Sequence, residues 1–215
     1  MARVAVLDYQ MSNLRSATKA LERLGADVRV VTEPQGARGA DALVLPGVGH
    51  FGEAMRRIRA RRLDRAVLDA VDRGVPVLGI CLGLQLLFDE SEESPGVAGL
   101  GLLEGPVRRL RTDRKLPHIG WSRVGWAPGA PLAPGPDEAG DSTYYFVHTY
   151  GCEPDDEGLV LGRADHGVPF CASAGREGVM GVQFHPEKSS LAGLGLLGRW
   201  LAGVAAARGP MPTRS

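Results

Sequence analysis

The fold is decided by residues 75–85, which read VPVLGICLGLQ. The apolar residues before Gly79 predict a buried strand and those after Cys81 predict a helix, so the chain turns sharply at the cysteine. Glycines at 79 and 83 let neighbouring backbone approach without Cβ clashes, as in a nucleophile elbow. Because the N–H groups of a helix N-terminus face Cys81, they favour its thiolate. The stretch alone is compatible with a nucleophilic cysteine or with an ordinary buried thiol.

A second motif, residues 181–187 with the sequence GVQFHPE, favours the nucleophile. A histidine at a strand end followed by proline and glutamate is an unusual way to build a core, and the proline ends strand pairing. His185 is a candidate general base and Glu187 a carboxylate that can orient it. With Cys81, these residues form a predicted catalytic triad.

Composition restricts the classes of function. The 215 residues fit one domain, which we predict at residues 1–205 with a frayed tail at 206–215. The 25 basic and 25 acidic residues balance, so no global field draws the chain to nucleic acid or to an anionic membrane. No apolar run reaches the roughly 20 residues of a spanning helix, and the N-terminus does not resemble a secretion signal. We therefore expect a cytoplasmic protein that acts on a small molecule.

The cysteines and histidines predict no bound metal. Three cysteines are too few for a secreted disulfide framework, and we expect Cys152 and Cys171 to be inert strand thiols. Neither C-x-x-C nor H-E-x-x-H spacing occurs, and no phosphate-binding loop of the G-x-x-x-x-G-K type is present. We expect neither a metal nor a cofactor.

The order of predicted elements indicates an α/β fold. Strand and helix patterns alternate in the first half, which is typical of a mostly parallel central sheet with helices on both faces. The second half contains strand patterns separated by tight turns, which predicts an added antiparallel region. Residues 127–136 are rich in proline and glycine and predict an exposed, mobile loop. An apolar stripe from Leu191 to Val204 predicts a final helix.

Five motifs in fixed order resemble the class I glutamine amidotransferases of the triad type. The two motifs above match the nucleophile and the base of that family. Residues 46–51, 117–121 and 145–150, with Lys188 and the serine after it, resemble more narrowly the glutaminase subunits of imidazole glycerol phosphate synthase, an enzyme of histidine biosynthesis. The resemblance covers residues 1–205 and implies a flavodoxin-like fold.

The resemblance implies hydrolysis of glutamine to glutamate and ammonia through a thioester on Cys81. His185 would carry the proton and Glu187 would orient its ring. The oxyanion would be stabilised by the N–H of Leu82, at the helix start, and by the turn that contains Val48 and Gly49. The residues implied for glutamine binding are Gln85, one helical turn after the cysteine, and, as weaker candidates, Gly52, His148 and Thr149.

A glutaminase of this family occupies the whole chain, so the reaction that consumes ammonia must lie on another polypeptide. The resemblance implies a (β/α)8-barrel cyclase subunit, which makes imidazole glycerol phosphate and an aminoimidazole carboxamide nucleotide. Trp121 is implied at the interface, although a tryptophan is more often a core residue. The other interface positions carried over are Asn13, Pro117 and Lys188.

Two departures from the family pattern concern this predicted interface. Residues 8–13 read DYQMSN where members read D-Y-G-x-G-N, and Ser122 stands where asparagine is common. If the glycines are left-handed, this loop must be rebuilt. Three alternatives therefore stay open: a paralogous glutaminase that feeds a different synthase, a cysteine hydrolase or peptidase on a similar scaffold, and a non-catalytic α/β interaction module.

Overall fold

A computed structural model describes residues 1–11, 14–135 and 142–207. The helices are α1 (Leu14–Arg23), α2 (Phe51–Ala60), α3 (Leu63–Asp72), α4 (Leu82–Leu86) and α5 (Ser190–Ala207). The strands are β1 (Arg3–Leu7), β2 (Asp27–Val31), β3 (Ala42–Gly47), β4 (Val77–Cys81), β5 (Glu90–Ser91), β6 (Pro106–Arg109), β7 (His118–Arg123), β8 (Gly125–Trp126), β9 (Thr143–His148), β10 (Tyr150–Cys152), β11 (Val160–Asp165), β12 (Pro169–Arg176) and β13 (Val179–Val182).

Eleven of the described strands form one mixed sheet. Its parallel part has the order β2-β1-β3-β4-β13, and the antiparallel strands β12, β10 and β6 continue it toward β5. Strands β11 and β8 branch from β12. Strands β7 and β9 pair separately as an antiparallel ribbon. The predicted α/β fold, with a parallel first half and an added antiparallel region, is confirmed.

The apolar strands divide their side chains between two core clusters, one on each face of the sheet. In β1, Val4 and Val6 belong to the cluster that α1 and α5 cover, whereas Ala5 and Leu7 belong to the cluster that α2 and α3 cover. Every residue of β3 is buried, since a parallel strand covered on both faces needs apolar residues throughout rather than in alternation. The continuous apolar runs in the sequence therefore reflect burial on both sides.

Two parts of the fold differ from the sequence-based expectations. Helix α2 was not predicted, although Ala54, Met55 and Ile58 lie at helical spacing and are buried. The segment expected to be an exposed loop is anchored over its described residues, 127–135. Leu132 in that segment is fully buried, and the Arg199 guanidinium donates two hydrogen bonds of 3.2 Å to its carbonyl. Proline and glycine content alone did not reveal this anchor.

Helix α5 continues to Ala207, two residues beyond the predicted domain end. It is long and apolar enough, by length and composition alone, to cross a membrane, and among the described residues it is the one helix with that property. Its residues Leu196, Trp200 and Val204 are buried in the core cluster that also contains Val6. The apolar composition of α5 therefore serves packing against the sheet. The first two residues of the predicted frayed tail, 206 and 207, are therefore helical, and the rest of that tail, residues 208–215, lies outside the described residues.

The turn from β4 into α4 depends on close backbone contacts. A Cβ at Gly83 would collide with the carbonyl oxygen of Leu45 on the neighbouring strand. A Cβ at Gly79 would lie 2.8 Å from the backbone of Gly83, closer than real Cβ atoms approach. The expectation that these two glycines permit close approach is confirmed. They allow α4 to lie directly against β3 and β4.

Replacing Gly83 by alanine should therefore destabilise the fold, by about 2 kcal/mol or more, because backbone rather than a flexible side chain occupies the required space. Gly203 in α5 is the matched control, since a Cβ there meets nothing within 4 Å. Gly203→Ala should stabilise the chain by about 0.5–1 kcal/mol through helix propensity. Urea unfolding of both variants measures the difference, and equal effects would contradict the packing explanation.

Candidate active site

The candidate nucleophile and base are delivered by two adjacent parallel strands. Strands β4 and β13 pair in register, with Ile80 opposite Val182, so that both chains leave the sheet at the same edge. Cys81 ends β4 and His185 follows β13 by three residues. The carboxyl edge of parallel strands is where open α/β sheets bind ligands. The topology therefore brings together two residues that lie far apart in the sequence.

Cys81 has a strained backbone. Its φ of 55° and ψ of −112° lie outside the regions that L-residues normally occupy. Such conformations cost roughly 1–3 kcal/mol and persist only when the surroundings impose them. Here β4 passes directly into α4, so Leu82 opens the helix and its N–H has no acceptor within the helix. The strain places the thiol beside a backbone donor.

The imidazole of His185 is oriented by Glu187. The His185 Nδ1–H donates a hydrogen bond of 2.8 Å to the Glu187 Oε1, and each side chain is 4% exposed. Because a carboxylate accepts only, Nδ1 carries the proton and Nε2 is left for Cys81. The arrangement is that of a base held by a carboxylate.

The environment of His185 favours its charged form. Burial lowers the pKa of this imidazole, but hydrogen bonds to Cys81 and to Glu187, reinforced by their negative charges, raise it to about 9. A protonated imidazole beside the sulfur is the partner that a thiolate requires. A protonated His185 can therefore lie beside the Cys81 sulfur at neutral pH.

The segment that carries His185 is fixed by strand β9. The His185 N–H donates to the Tyr145 carbonyl at 2.9 Å, and the Ser189 hydroxyl donates to the His185 carbonyl at 2.6 Å. The Tyr145 N–H in turn donates to the Ser189 hydroxyl at 2.9 Å. These bonds hold the ends of the 3₁₀ turn Pro186–Lys188, which contains Glu187. The geometry of the base thus depends on β9.

A cleft of about 260 Å³ opens above Cys81. Ten of the thirteen predicted site residues that the structure describes line it, and Gly52, Trp121 and Glu187 do not. Gly52 lies outside the cleft and donates its N–H to the Ser94 hydroxyl at 2.9 Å. The lining residues are Val48, Gly49, Cys81, Leu82, Gln85, Glu93, Pro117, Val147, His148, Thr149, Tyr150, His185 and Lys188.

In the turn predicted to supply the second oxyanion donor, the Val48 N–H points away from the cleft. The Val48 N–H donates to the carbonyl of Met11 at 2.8 Å, so it is not available to a ligand in the cleft. Gly49 has a φ of +104°, and a Cβ there would lie 2.9 Å from the Met11 methyl carbon. The prediction that Val48 donates to the oxyanion is thus not met in this conformation. Leu82 retains a suitable N–H.

The loop that departs from the family pattern keeps a left-handed residue. Gln10 has a φ of 64°, a conformation usually given to glycine. Its N–H donates to the Asp8 carboxylate at 2.7 Å, and Arg57 donates to its carbonyl at 3.1 Å. The expected rebuilding therefore does not occur at residue 10, because these contacts hold the strained conformation. Residues 12 and 13, including the predicted interface residue Asn13, lie outside the described residues.

Hydrogen bonds also restrict what the predicted substrate ligands can do. Both Nε2 hydrogens of Gln85 are used, one by the Tyr150 carbonyl and one by Gln183 Oε1, each at 3.0 Å. Both ring nitrogens of His148 are used as well, by His118 and by the Tyr150 carbonyl. His148 therefore lines the cleft without a free polar atom for a ligand, whereas the Gln85 oxygen has no hydrogen-bond partner among the described residues.

Sequence reasoning missed two residues at this site. Glu93 places a carboxylate at the cleft, and its Oε2 accepts the Phe51 N–H at 2.7 Å. Gln183 is fully buried and donates to the Cys81 sulfur at 3.8 Å. Glu93 lies in an acidic run with no distinctive spacing, so only the fold singles it out. Gln183 lies within the motif that contains the base. A polar residue between the apolar Val182 and Phe184 was the signal that could have identified it.

Exposed apolar side chains lie beside the cleft. Trp121 is 55% exposed, and its ring meets Tyr145 edge-on with 5.8 Å between the centroids. The alternative that this tryptophan is a core residue is therefore wrong. Ile119 on the same face of β7 is 61% exposed, and Val48 at the cleft is 38% exposed. Large exposed apolar groups of this kind are typical of a protein interface.

The remaining cysteines and histidines do not form a metal site. Over residues 1–11, 14–135 and 142–207, no group of three or more histidine, cysteine or acidic side chains has an arrangement that could hold a metal ion. Cys152 and Cys171 face each other across β10 and β12 and are buried. Burial raises the pKa of the Cys152 thiol and raises that of Cys171 to about 12. Both thiols are protonated at neutral pH and therefore weak nucleophiles.

Comparison with known proteins identifies the family. Residues 5–194 match the family model of glutamine amidotransferase class-I. The imidazole glycerol phosphate synthase subunit HisH of Moorella thermoacetica is 47% identical over 198 residues, which are 92% of this chain and 93% of that protein. The subunits of the same name from Bacillus subtilis and Methanothermobacter thermautotrophicus are 44% and 45% identical, each over 90% of this chain and over 93% and 95% of their own lengths.

Solved structures agree on the fold. A crystal structure of a glutamine amidotransferase aligns with a TM-score of 0.71 and 24% identity over 94% of this chain and 98% of its own. The structure of PurLQS from Thermotoga maritima gives a TM-score of 0.74 and 20% identity over 97% of this chain and all of the matched chain. At these identities the likeness concerns the fold alone. The sequence relatives carry the narrower conclusion: the chain belongs to the class I glutamine amidotransferase family, and within it to the HisH subunits of imidazole glycerol phosphate synthase.

Proposed function

We propose that Cys81, His185 and Glu187 hydrolyse glutamine to glutamate and ammonia, and that the ammonia passes to a separate (β/α)8-barrel cyclase subunit in the cytoplasm. The observation that carries the proposal is the buried hydrogen bond between His185 and Glu187, which orients the imidazole toward a thiol at the floor of a small cleft. The family membership supports glutamine as the substrate.

The chemistry follows from these positions. His185 takes the thiol proton, and the Cys81 sulfur attacks the amide carbon of the glutamine side chain. The negative charge on the amide oxygen is stabilised by the Leu82 N–H. The imidazolium then donates its proton to the departing nitrogen, and the carbon–nitrogen bond breaks. Ammonia departs, and the acyl group remains on Cys81 as a thioester. Water, deprotonated by the imidazole, attacks the thioester and releases glutamate and the thiol.

Two polar groups are suited to the amino-acid end of the substrate. The Glu93 carboxylate faces the cleft and is held by the Phe51 N–H. The oxygen of Gln85 is left to accept, because both hydrogens of its amide nitrogen are used within the protein. We assign these two acceptors to the α-ammonium group of glutamine, since a cation is the ligand that two acceptors select.

The size of the cleft distinguishes an amino-acid substrate from a peptide. Its volume of about 260 Å³ lies below the roughly 300–1,000 Å³ typical of larger ligand sites. A peptidase needs a groove that extends on both sides of the nucleophile. A non-catalytic module would not require a strained cysteine with an oriented imidazole beside it. The geometry therefore favours the glutaminase over both alternatives.

Coupling to a partner is supported by the state of the oxyanion turn. The Val48 N–H is bonded to Met11, so this donor becomes available only if the turn changes conformation. A partner that binds the changed state more tightly would shift the population toward it. Val48, Trp121 and Lys188 are exposed beside the cleft, where such a partner would bind. Since one oxyanion donor contributes about 10²–10³-fold in rate, the isolated chain should be a slow glutaminase.

The first prediction concerns the triad. Cys81→Ala should abolish glutamate release while the complex with the cyclase still uses added ammonia, because only thioester formation is lost. Glu187→Gln should reduce the rate less than His185→Ala, since an orienting charge is lost rather than the proton carrier. The control is Cys171→Ala, which removes a buried thiol that does not line the cleft. Near-normal glutaminase activity in Cys81→Ala would exclude Cys81 as the nucleophile.

The second prediction concerns pH. Because its bonds to Cys81 and Glu187 raise the pKa of His185 to about 9 against the effect of burial, the imidazolium is present below that pH and is lost above it. The kcat/KM for glutamate release should therefore fall as pH rises through about 9, a value that belongs to the coupled pair. Glu187→Gln removes one of the two partners that raise the pKa of His185. The fall of kcat/KM at alkaline pH should therefore occur at a lower pH in this variant. The exposed substitution Glu177→Gln is the control, and an unchanged pH for this fall in Glu187→Gln would argue against the assignment.

The third prediction concerns the partner. Lys188 is exposed and lines the cleft directly after Glu187, where it can pair with an acidic residue of a cyclase. Lys188→Ala should reduce partner-stimulated glutaminase more than basal glutaminase. The matched control is Lys19→Ala, an exposed lysine on α1 that does not line the cleft. Glutamate release with and without the cyclase and its nucleotide measures the ratio. An unchanged ratio removes Lys188 from the coupling, and a fully active isolated wild-type chain contradicts coupling itself.

A further inference from the structure

The inner face of the β7–β9 ribbon carries a pair of buried histidines. His118 and His148 lie opposite each other in the ribbon, with 3.1 Å between His118 Nδ1 and His148 Nε2. His118 also lies 3.0 Å from the Ser122 hydroxyl, and His148 Nδ1 lies 2.9 Å from the Tyr150 carbonyl oxygen. Rings of Phe146 and His166 stack on His118 with centroids at 5.1 and 4.2 Å. The Ser122 hydroxyl, the two imidazole rings and the Tyr150 carbonyl thus form one continuous series of hydrogen bonds.

The direction of every bond in this series is determined. Burial lowers the pKa of His118 to about 4 and that of His148 to about 3, so both rings are neutral at pH 7. The Tyr150 carbonyl only accepts, so His148 carries its proton on Nδ1 and accepts on Nε2. His118 must then donate from Nδ1, which leaves its Nε2 as an acceptor. The Ser122 hydroxyl therefore donates to His118.

The series continues from the Tyr150 carbonyl to the nucleophile. That oxygen accepts a second bond, from Gln85 Nε2 at 3.0 Å. The other hydrogen of Gln85 Nε2 is donated to Gln183 Oε1, also at 3.0 Å. Gln183 Nε2 then donates to the Cys81 sulfur at 3.8 Å. Within the described residues, a single hydrogen-bonded path thus joins the inner face of β7 to the reacting atom.

The path decides which end of the Gln183 amide faces the sulfur. If the amide were flipped, its nitrogen would face the donating nitrogen of Gln85 and its oxygen would face the Cys81 sulfur. Gln85 cannot adapt, because its second hydrogen is held by the Tyr150 carbonyl. In the flipped orientation the N–H groups of Gln85 and Gln183 would face each other, and the Gln183 oxygen would face the negatively charged sulfur. Each buried polar group left without a partner would cost about 1–3 kcal/mol. The observed orientation is therefore enforced.

We propose that Gln183 is a catalytic residue that donates an N–H to the Cys81 sulfur as the thiolate forms. Ser122, His118 and His148 are positioning residues that act on this donor through Tyr150 and Gln85. A hydrogen bond to the charged form favours that form, and it also limits the directions in which the sulfur can attack. The inference deepens the proposed function, on which it rests.

The first test replaces the donor. Gln183→Met keeps the length of the side chain but removes both its donor and its acceptor. The rate constant for alkylation of Cys81 by iodoacetamide near neutral pH, followed at this residue by mass spectrometry in the full chain, should fall about 3- to 10-fold. The kcat for glutamine should fall by a similar factor with KM changed less than about 2-fold, because Gln85 keeps its bond to Tyr150. Wild-type alkylation and kcat in this variant would overturn the role of Gln183.

The second test acts at the far end of the path. Ser122→Ala removes the hydroxyl that donates to His118 Nε2. The His118 ring can then carry its proton on Nε2 instead of Nδ1. In that tautomer its Nδ1 is an acceptor and faces the acceptor Nε2 of His148. Alkylation of Cys81 should fall about 2- to 3-fold. Ser122→Asn supplies an amide donor and should restore it. Thr143→Ala is the matched control, because it removes an exposed hydroxyl from the outer face of the same ribbon. Equal rates in the alanine and asparagine variants of Ser122 would overturn the positioning role.

The two readouts separate this inference from the proposed function. Alkylation reports on the sulfur without requiring glutamine. If the wild-type chain hydrolyses no glutamine with or without a cyclase, the proposed function fails, and the order of alkylation rates still decides whether the path positions Cys81. If glutamine is hydrolysed normally while the Gln183 and Ser122 variants behave as wild type in both assays, the inference alone fails. Thermal unfolding of each variant verifies that its fold is retained.

Discussion

The site depends on one constraint, the passage from β4 into α4 within a single residue. Cys81 must adopt an unfavourable backbone conformation, and the turn is possible only because Gly83 lies against the Leu45 carbonyl without a side chain. This contact fixes the helix against β3, and with it the direction of the Leu82 N–H. The strained conformation of Cys81 is thus maintained by packing in the sheet. The nucleophile is therefore held as rigidly as the core residues around it.

Much of the fold could be predicted because the decisive signals are local. Parallel strands buried on both faces read as continuous apolar runs, and the cysteine and histidine motifs mark the ends of two of them. The orientation of the Val48 peptide was not predictable, since it depends on a carbonyl from the distant loop at Met11. Nor did the Gly52 assignment fit, because the Ser94 hydroxyl takes its N–H. Peptide planes and hydrogen-bond partners are properties of tertiary structure.

The buried histidines illustrate the same limit. The sequence places His118 and His148 in different segments, and only the register of β7 with β9 sets them opposite each other. Burial lowers the pKa of both rings, and His148, which was expected to bind glutamine, has both ring nitrogens bonded within the protein. Ser122, where the family commonly has asparagine, keeps a donor at the end of the series. The departure in sequence therefore leaves a hydrogen-bond donor at residue 122, which composition and spacing alone could not reveal.

The pairing of β4 with β13 has a consequence for how such chains diversify. Because the two strands are hydrogen-bonded neighbours from Val77 to Ile80, one ladder sets the separation between nucleophile and base. The intervening chain, from β5 to β12, leaves the parallel sheet and returns to it at a fixed place. Exposed loops in this excursion can change in length without altering the catalytic spacing, because the β4–β13 ladder sets it. The spacing of the catalytic residues can therefore stay constant while the surface formed by the intervening chain changes.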